Sequence, residues 1–152
     1  MEIGALLTEK NFTIACAESC TGGLLTSKLT DVAGSSAYVK GAVVSYTNEI
    51  KNKILHVNEE TLEKFGAVSE QTATEMAANV RQIFNTNIGV SITGIAGPGG
   101  GTSEKPVGTV YIGVSDSNGE KIQRFQFGGT RTEIKEKSVE SALKMIKDYL
   151  TL

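Results

Sequence analysis

The stretch Ala17-Glu18-Ser19-Cys20-Thr21-Gly22-Gly23 constrains this chain more than any other. An alternating apolar segment (Phe12, Ile14, Cys16) precedes it, and a run with helical spacing (Leu24, Leu25, Leu29) comes after it. A strand over residues 12–17 therefore turns into a helix over 21–30 through small, hydroxyl-bearing and glycine residues. Such a junction leaves backbone N–H groups unpaired at the positive end of a helix dipole, where an anion is favoured. Serine and threonine hydroxyls add donors, and glycine lets a ligand approach the backbone. The junction lacks the Gly-x-x-x-x-Gly-Lys spacing of a nucleotide triphosphatase loop, so a single phosphate or similar anion is the expected occupant. The competing reading is a tight turn in which Ser19 or Thr21 merely caps the helix.

The rest of the chain repeats this alternation of elements. A short amphipathic helix is expected over 1–10 with Ile3, Leu6 and Leu7 inward, and an apolar strand over 42–46. Thr47 or Asn48 can cap a short helix through Leu55, and another spans 59–64. Ser69 caps a longer helix that turns Ala73, Met76, Ala77, Val80, Ile83 and Phe84 inward. Ile88, Val90 and Ile92 predict a strand with one buried face, stopping at a second glycine-rich junction, Thr93 to Gly101. A hairpin over 107–127 turns at Asn118-Gly119. In its second arm Ile122 and Phe125/Phe127 have opposite parity, which means a bulge or burial on both faces. A last helix, about 133–150, presents Val139, Leu143, Ile146 and Leu150. This order indicates an α/β fold, a three-layer α/β/α arrangement with a mixed sheet, as a single domain over 1–152. Both glycine junctions come after strands, so both can lie at the sheet edge where α/β domains bind ligands.

Composition narrows the function classes. A net charge of −2 with mixed signs and no basic stripe argues against sequence-independent nucleic-acid binding. No apolar run approaches the roughly 20 residues that span a bilayer, and the first residues do not read as a secretory signal. Cys16, Cys20 and the lone His56 make no metal-ligand set, and the two cysteines read as buried, reduced thiols. The expected location is the cytoplasm.

Between the junctions lie the most reactive residue types: Ser35, Ser36, Tyr46 and Lys51. Serine needs a base, and His56 has no evident orienting partner, which disfavours a Ser-His-Asp triad. Lysine can act as base when burial disfavours its charged form. Tyr46 at a strand end and Lys51 one helical turn later can face one cleft. Spacing alone leaves Ser19, Ser35 and Ser36 open as nucleophile.

Together these segments resemble the CinA C-terminal domain, the nicotinamide-nucleotide amidohydrolase (NMN deamidase) family. The matching stretches are Ala17 to Gly23, Gly34-Ser35-Ser36-Ala37, Tyr46-Thr47-Asn48-Glu49 with Lys51, Gly66-Ala67-Val68-Ser69, Thr93 to Gly101, and Lys105-Pro106-Val107-Gly108-Thr109-Val110. The resemblance implies hydrolysis of the carboxamide of nicotinamide mononucleotide to nicotinic acid mononucleotide and ammonia. It also implies a possible homodimer; with the composition above, no cofactor, metal, nucleic-acid partner or membrane partner is expected. It assigns Ser36 as nucleophile, Lys51 as base and Tyr46 as its assistant. Ser19, Thr21, Gly22 and Gly23 of the first junction and Thr93, Gly94 and Gly97 of the second would hold substrate, with Arg131 as a phosphate contact. The rival reading is a non-catalytic module that binds a phosphorylated nucleotide.

Overall fold

The computed structural model describes residues 2–152. Helix α1 (Ile3–Lys10) leads into β1 (Ile14–Glu18), α2 (Leu24–Thr30), a 3-10 turn (Ser35–Ala37) and β2 (Val39–Val44). Three helices come next, α3 (Asn48–Lys53), α4 (Glu59–Phe65) and α5 (Glu70–Phe84). The chain then forms β3 (Ile88–Gly94), the hairpin β4 (Thr109–Asp116) and β5 (Gly119–Gln126), and α6 (Arg131–Leu150). The strands make one mixed sheet in the order β2-β1-β3-β4-β5. β2, β1 and β3 are parallel, whereas β4 and β5 continue antiparallel. Parallel neighbours need long crossovers, which α2 and the α3–α5 segment supply. Helices α1, α2 and α6 enclose one core on one face, while α5 and the Leu55–Val57 segment enclose the other. The three-layer α/β/α arrangement expected from the sequence is thus present. Among the described residues no helix is long and apolar enough to cross a membrane.

The alternation in β1 and β3 does not mark a solvent-facing side. All five β1 residues are buried, as are six of the seven in β3, since helices cover both faces. Ile14 and Cys16 join the core under α6, as do Ile88, Val90 and Ile92. The other parity of these strands is filled by small residues because α5 packs close to the sheet. An added Cβ at Gly89 would collide with the Ala77 carbonyl, and the Ser91 hydroxyl donates to Ala73 O at 2.7 Å. The expectation of one buried face on β3 is therefore corrected.

Strand β5 pairs with β4 without a register shift, which excludes a bulge, and each face is covered only in part, with Ile122 and Phe125 half-buried and the other β5 residues exposed. Phe125 and Phe127 stack at 5.2 Å and pack on the α6 side. Ile122 instead lies over Gly113, beside the α5 backbone at Ala73. Ser69 and Thr47 cap their helices as expected, accepting from Thr72 N and Ile50 N respectively. Ile83, expected inward on α5, is 43% exposed. Helix α6 begins at Arg131 because Thr130 and Glu133 form a capping box there.

Candidate functional site

Three parallel strands end at the same sheet edge, and the residues just beyond those ends meet there. Ser19 comes directly after β1, Ser45 directly after β2, and Thr93-Gly94 close β3. The N-cap at Thr47 starts α3 immediately beyond this edge and turns Lys51 back under it. Lys51 Nζ lies 2.9 Å from Ser19 Oγ and 2.6 Å from Ser45 O, and the lysine is 1% exposed. Its ammonium makes no ion pair among the described residues. Burial lowers the Lys51 pKa from 10.5 to about 8, with Cys20 pulling weakly in the opposite direction. A hydroxyl in hydrogen-bond contact with an amine that gives up its proton near pH 8 makes a nucleophile–base pair.

A cavity of about 160 Å³ opens over this pair. Cys20, Asn48, Ala67, Val68, Thr93, Gly94 and Ala96 line it, with Tyr46 and Arg131 at its mouth. Arg131 spans that mouth, donating to Gly97 O at 2.6 Å and to Tyr46 Oη at 2.6 Å. Cys20 is no rival nucleophile, because burial pushes its thiol up to about 11. A larger cleft of about 800 Å³, between α1, α2 and Tyr38, holds no comparable nucleophile–base pair and is lined mostly by apolar surface.

The family model for the CinA C-terminal domain matches residues 1–150. The chain belongs to that family. It is 51% identical to a putative competence-damage inducible protein of Halothermothrix orenii, over 98% of this chain and 36% of that protein. A CinA-like protein of Desulfotalea psychrophila is 48% identical over 97% of this chain and 36% of its own length. The CinA domain described here thus spans about a third of the curated relatives it matches. Among solved structures, the competence/damage inducible protein CihA from Agrobacterium tumefaciens superposes with a TM-score of 0.92 at 43% identity, covering 99% of this chain and 96% of that one. A CinA superfamily protein from Klebsiella pneumoniae gives a TM-score of 0.95 at 31% identity, covering 98% and 93%.

In this CinA domain Ser19, Tyr46, Lys51, Thr93, Gly94 and Arg131 come together, with Gly97 reaching the site through its carbonyl. Ser36 does not join them. It is exposed on the 3-10 turn before β2, where Val39 pairs with Ile14 at the start of β1, whereas Lys51 lies beyond the far end of β2. Six strand residues place roughly 20 Å between these edges. The pairing of Ser36 with Lys51 within one chain is corrected accordingly: the serine that Lys51 meets is Ser19. Ser35 is buried on the same remote turn.

The first junction also differs from its expected role. Its anion is the chain's own. The Glu18 carboxylate, fully buried, accepts from Leu25 N and Thr26 N at the start of α2 and from the hydroxyls of Thr21 and Thr26, at 2.6–2.9 Å. Thr21 therefore faces inward, and neither Thr21, Gly22 nor Gly23 lines the cavity. The two glycines serve the turn instead, with φ of +61° and +104°. Thr93 donates its hydroxyl to Ala67 O at 2.8 Å, tying the segment before α5 to the site.

Sequence reasoning missed the Ser45 carbonyl, Glu18, Asn48 and the Ala67–Val68 wall. Backbone acceptors carry no residue-type signal; Glu18 carried only a general one, an acidic residue shortly before a helix N-terminus, whose positive end favours a carboxylate.

Proposed function

We propose that this CinA domain is a serine-type amidohydrolase that converts nicotinamide mononucleotide to nicotinic acid mononucleotide and ammonia. The observation that carries the reading is the 2.9 Å contact between Ser19 Oγ and a buried Lys51 whose pKa is lowered to about 8. Neutral Lys51 takes the Ser19 hydroxyl proton as Oγ attacks the carboxamide carbon. Backbone N–H groups of a glycine-containing loop at the cavity stabilise the resulting oxyanion. The proton returns through Lys51, with the Tyr46 phenol at the mouth assisting, to the departing nitrogen; the C–N bond breaks and ammonia leaves. Lys51 then deprotonates a water that hydrolyses the acyl ester, and Ser19 regains its proton.

Size supports the substrate. Whole drug-sized ligands fill pockets of about 300–1,000 Å³. A cavity of about 160 Å³ takes a single ring with its carboxamide and leaves the ribose phosphate at the cationic mouth.

The test is ammonia release from nicotinamide mononucleotide by purified, chelator-treated protein. Ser19→Ala is expected to lose about a thousandfold or more in kcat, whereas Ser36→Ala keeps turnover close to wild type. Loss on Ser36→Ala with retention on Ser19→Ala overturns the assignment. Nucleotide binding without ammonia after long incubation makes the domain a binding module instead.

A further inference from the structure

The second glycine junction contributes Thr93, Gly94 and Ala96 to the cavity, while the loop beyond it, at Lys105, holds the Ala67–Val68 wall without lining the cavity itself. That wall is the connection between α4 and α5, and three consecutive carbonyls in it each accept from a side chain. Lys105 Nζ donates to Phe65 O at 2.7 Å, Ser69 Oγ and Thr72 Oγ1 to Gly66 O at 2.9 and 2.7 Å, and Thr93 Oγ1 to Ala67 O at 2.8 Å. The donors come from the glycine loop, the start of α5 and β3. Connections ordinarily move more than the elements they join; this one is fastened at every residue before Val68. Lys105 is anchored in turn. Its N–H donates to Thr102 Oγ1, Thr102 N donates to Lys105 O, and Arg124 of β5 donates to Glu104 O, all at 2.8–3.0 Å. Val68 is the largest aliphatic side chain lining the cavity, whose other apolar lining is Ala67, Ala96 and the Cys20 thiol. In a space of about 160 Å³, a fixed isopropyl group limits the ring that fits. Phe65 ends α4, so the Lys105 ammonium also serves as a helix cap. A cap alone affects stability, whereas a clamp on the wall affects substrate choice.

We propose that Val68 is the specificity-determining residue for the ring that bears the carboxamide, and that Lys105 is the positioning residue that keeps Val68 in place. The inference rests on the amidohydrolase reading for its substrate, and its test separates the two. Ammonia release gives kcat/KM for nicotinamide mononucleotide and for analogues carrying one methyl group at C4, C5 or C6 of the pyridine ring. Wild type is expected to prefer the parent compound by about tenfold or more over at least one analogue. Val68→Ala, which makes room for that methyl, brings the ratio close to one. Lys105→Met leaves the lining residues unchanged and removes the clamp; it lowers the ratio about threefold or more, and Lys105→Arg, which still offers donors to Phe65 O, restores it. A wild type that does not discriminate, or ratios that Val68→Ala leaves unchanged, overturns the filter. Lost thermal stability in Lys105→Met with unchanged ratios makes Lys105 a cap of α4 alone and overturns its positioning role. No ammonia from any of the four compounds refutes the amidohydrolase reading. The same ratios, read as calorimetric Kd values with the same variants, then decide the filter; unchanged ratios or absent binding overturn it.

Discussion

Replacing Lys51 with methionine changes how stability depends on pH, and the structure sets both sign and size. In the folded protein Lys51 titrates near 8, against 10.5 for an ordinary lysine. Below pH 8 it is charged in both states, so the whole cost of burying the ammonium is present. Between 8 and 10.5 the unfolded chain holds a proton that the folded protein has released, so unfolding free energy rises with pH. Above 10.5 the amine is neutral in both states and the cost is gone. A shift of that width corresponds to about 3 kcal/mol, of which roughly 2–3 kcal/mol develops between pH 7 and 10. The buried thiols act in the opposite sense: Cys16 and Cys20 are raised from 9.0 to about 12 and about 11. The stability they contribute is present below 9 and is lost as pH rises through their folded values. Only the difference between wild type and Lys51→Met isolates the lysine. Urea unfolding of both proteins at closely spaced pH values measures it. The gap should move in favour of wild type by about 2–3 kcal/mol from pH 7 to 10. Wild-type kcat/KM should rise about tenfold per unit below pH 8 and level off above it. Stability curves that stay parallel, with kcat/KM still climbing at pH 10, refute the depressed lysine and its role as base.

Two further perturbations test the scaffold. Glu18→Gln replaces an acceptor of four hydrogen bonds by an amide that turns N–H groups toward N–H donors, and should cost about 2–4 kcal/mol in thermal or chemical unfolding; a loss under about 1 kcal/mol removes Glu18 as the internal anion of α2. Gly89→Ala forces a methyl against the Ala77 carbonyl and Arg81 Cβ and should cost about 1–3 kcal/mol. Gly99→Ala, with open space around it, should be near neutral, and equal losses at the two positions would mean that α5 does not press on β3 as described.

Much of the architecture was legible because its signals are local. Ser69 and Thr47 cap as their side-chain chemistry predicts, whereas the opposite parities of Ile122 and Phe125 left a bulge and two covered faces open until strand pairing showed two partly covered faces. Small residues misled the reading of β3: Gly89, Ser91 and Thr93 look like an outer face, yet they are small because a helix lies against them. The site was legible as a set of residue types and not as pairs. Lys51 was found as a potential base, but its serine was fixed by strand pairing, since β1 and β2 end together and Ser19 stands 32 positions away. The first junction was recognised as an anion site; that Glu18 fills it depends on a side-chain direction no spacing rule supplies.

The parallel strands divide the sheet into two edges with different tolerances. Ser19, Ser45, Gly94 and the start of α6 crowd one edge, where an inserted residue would disturb the contact between Ser19 and Lys51. The other edge carries the 31–37 loop, the Asn85–Asn87 link fastened to Thr13, and the Ser117–Asn118 turn. Lengthening those connections leaves the dyad where it is. A tag, a fluorophore or a whole fused module belongs there, and evolution has the same freedom: this edge can acquire new attachments while the opposite one keeps its chemistry.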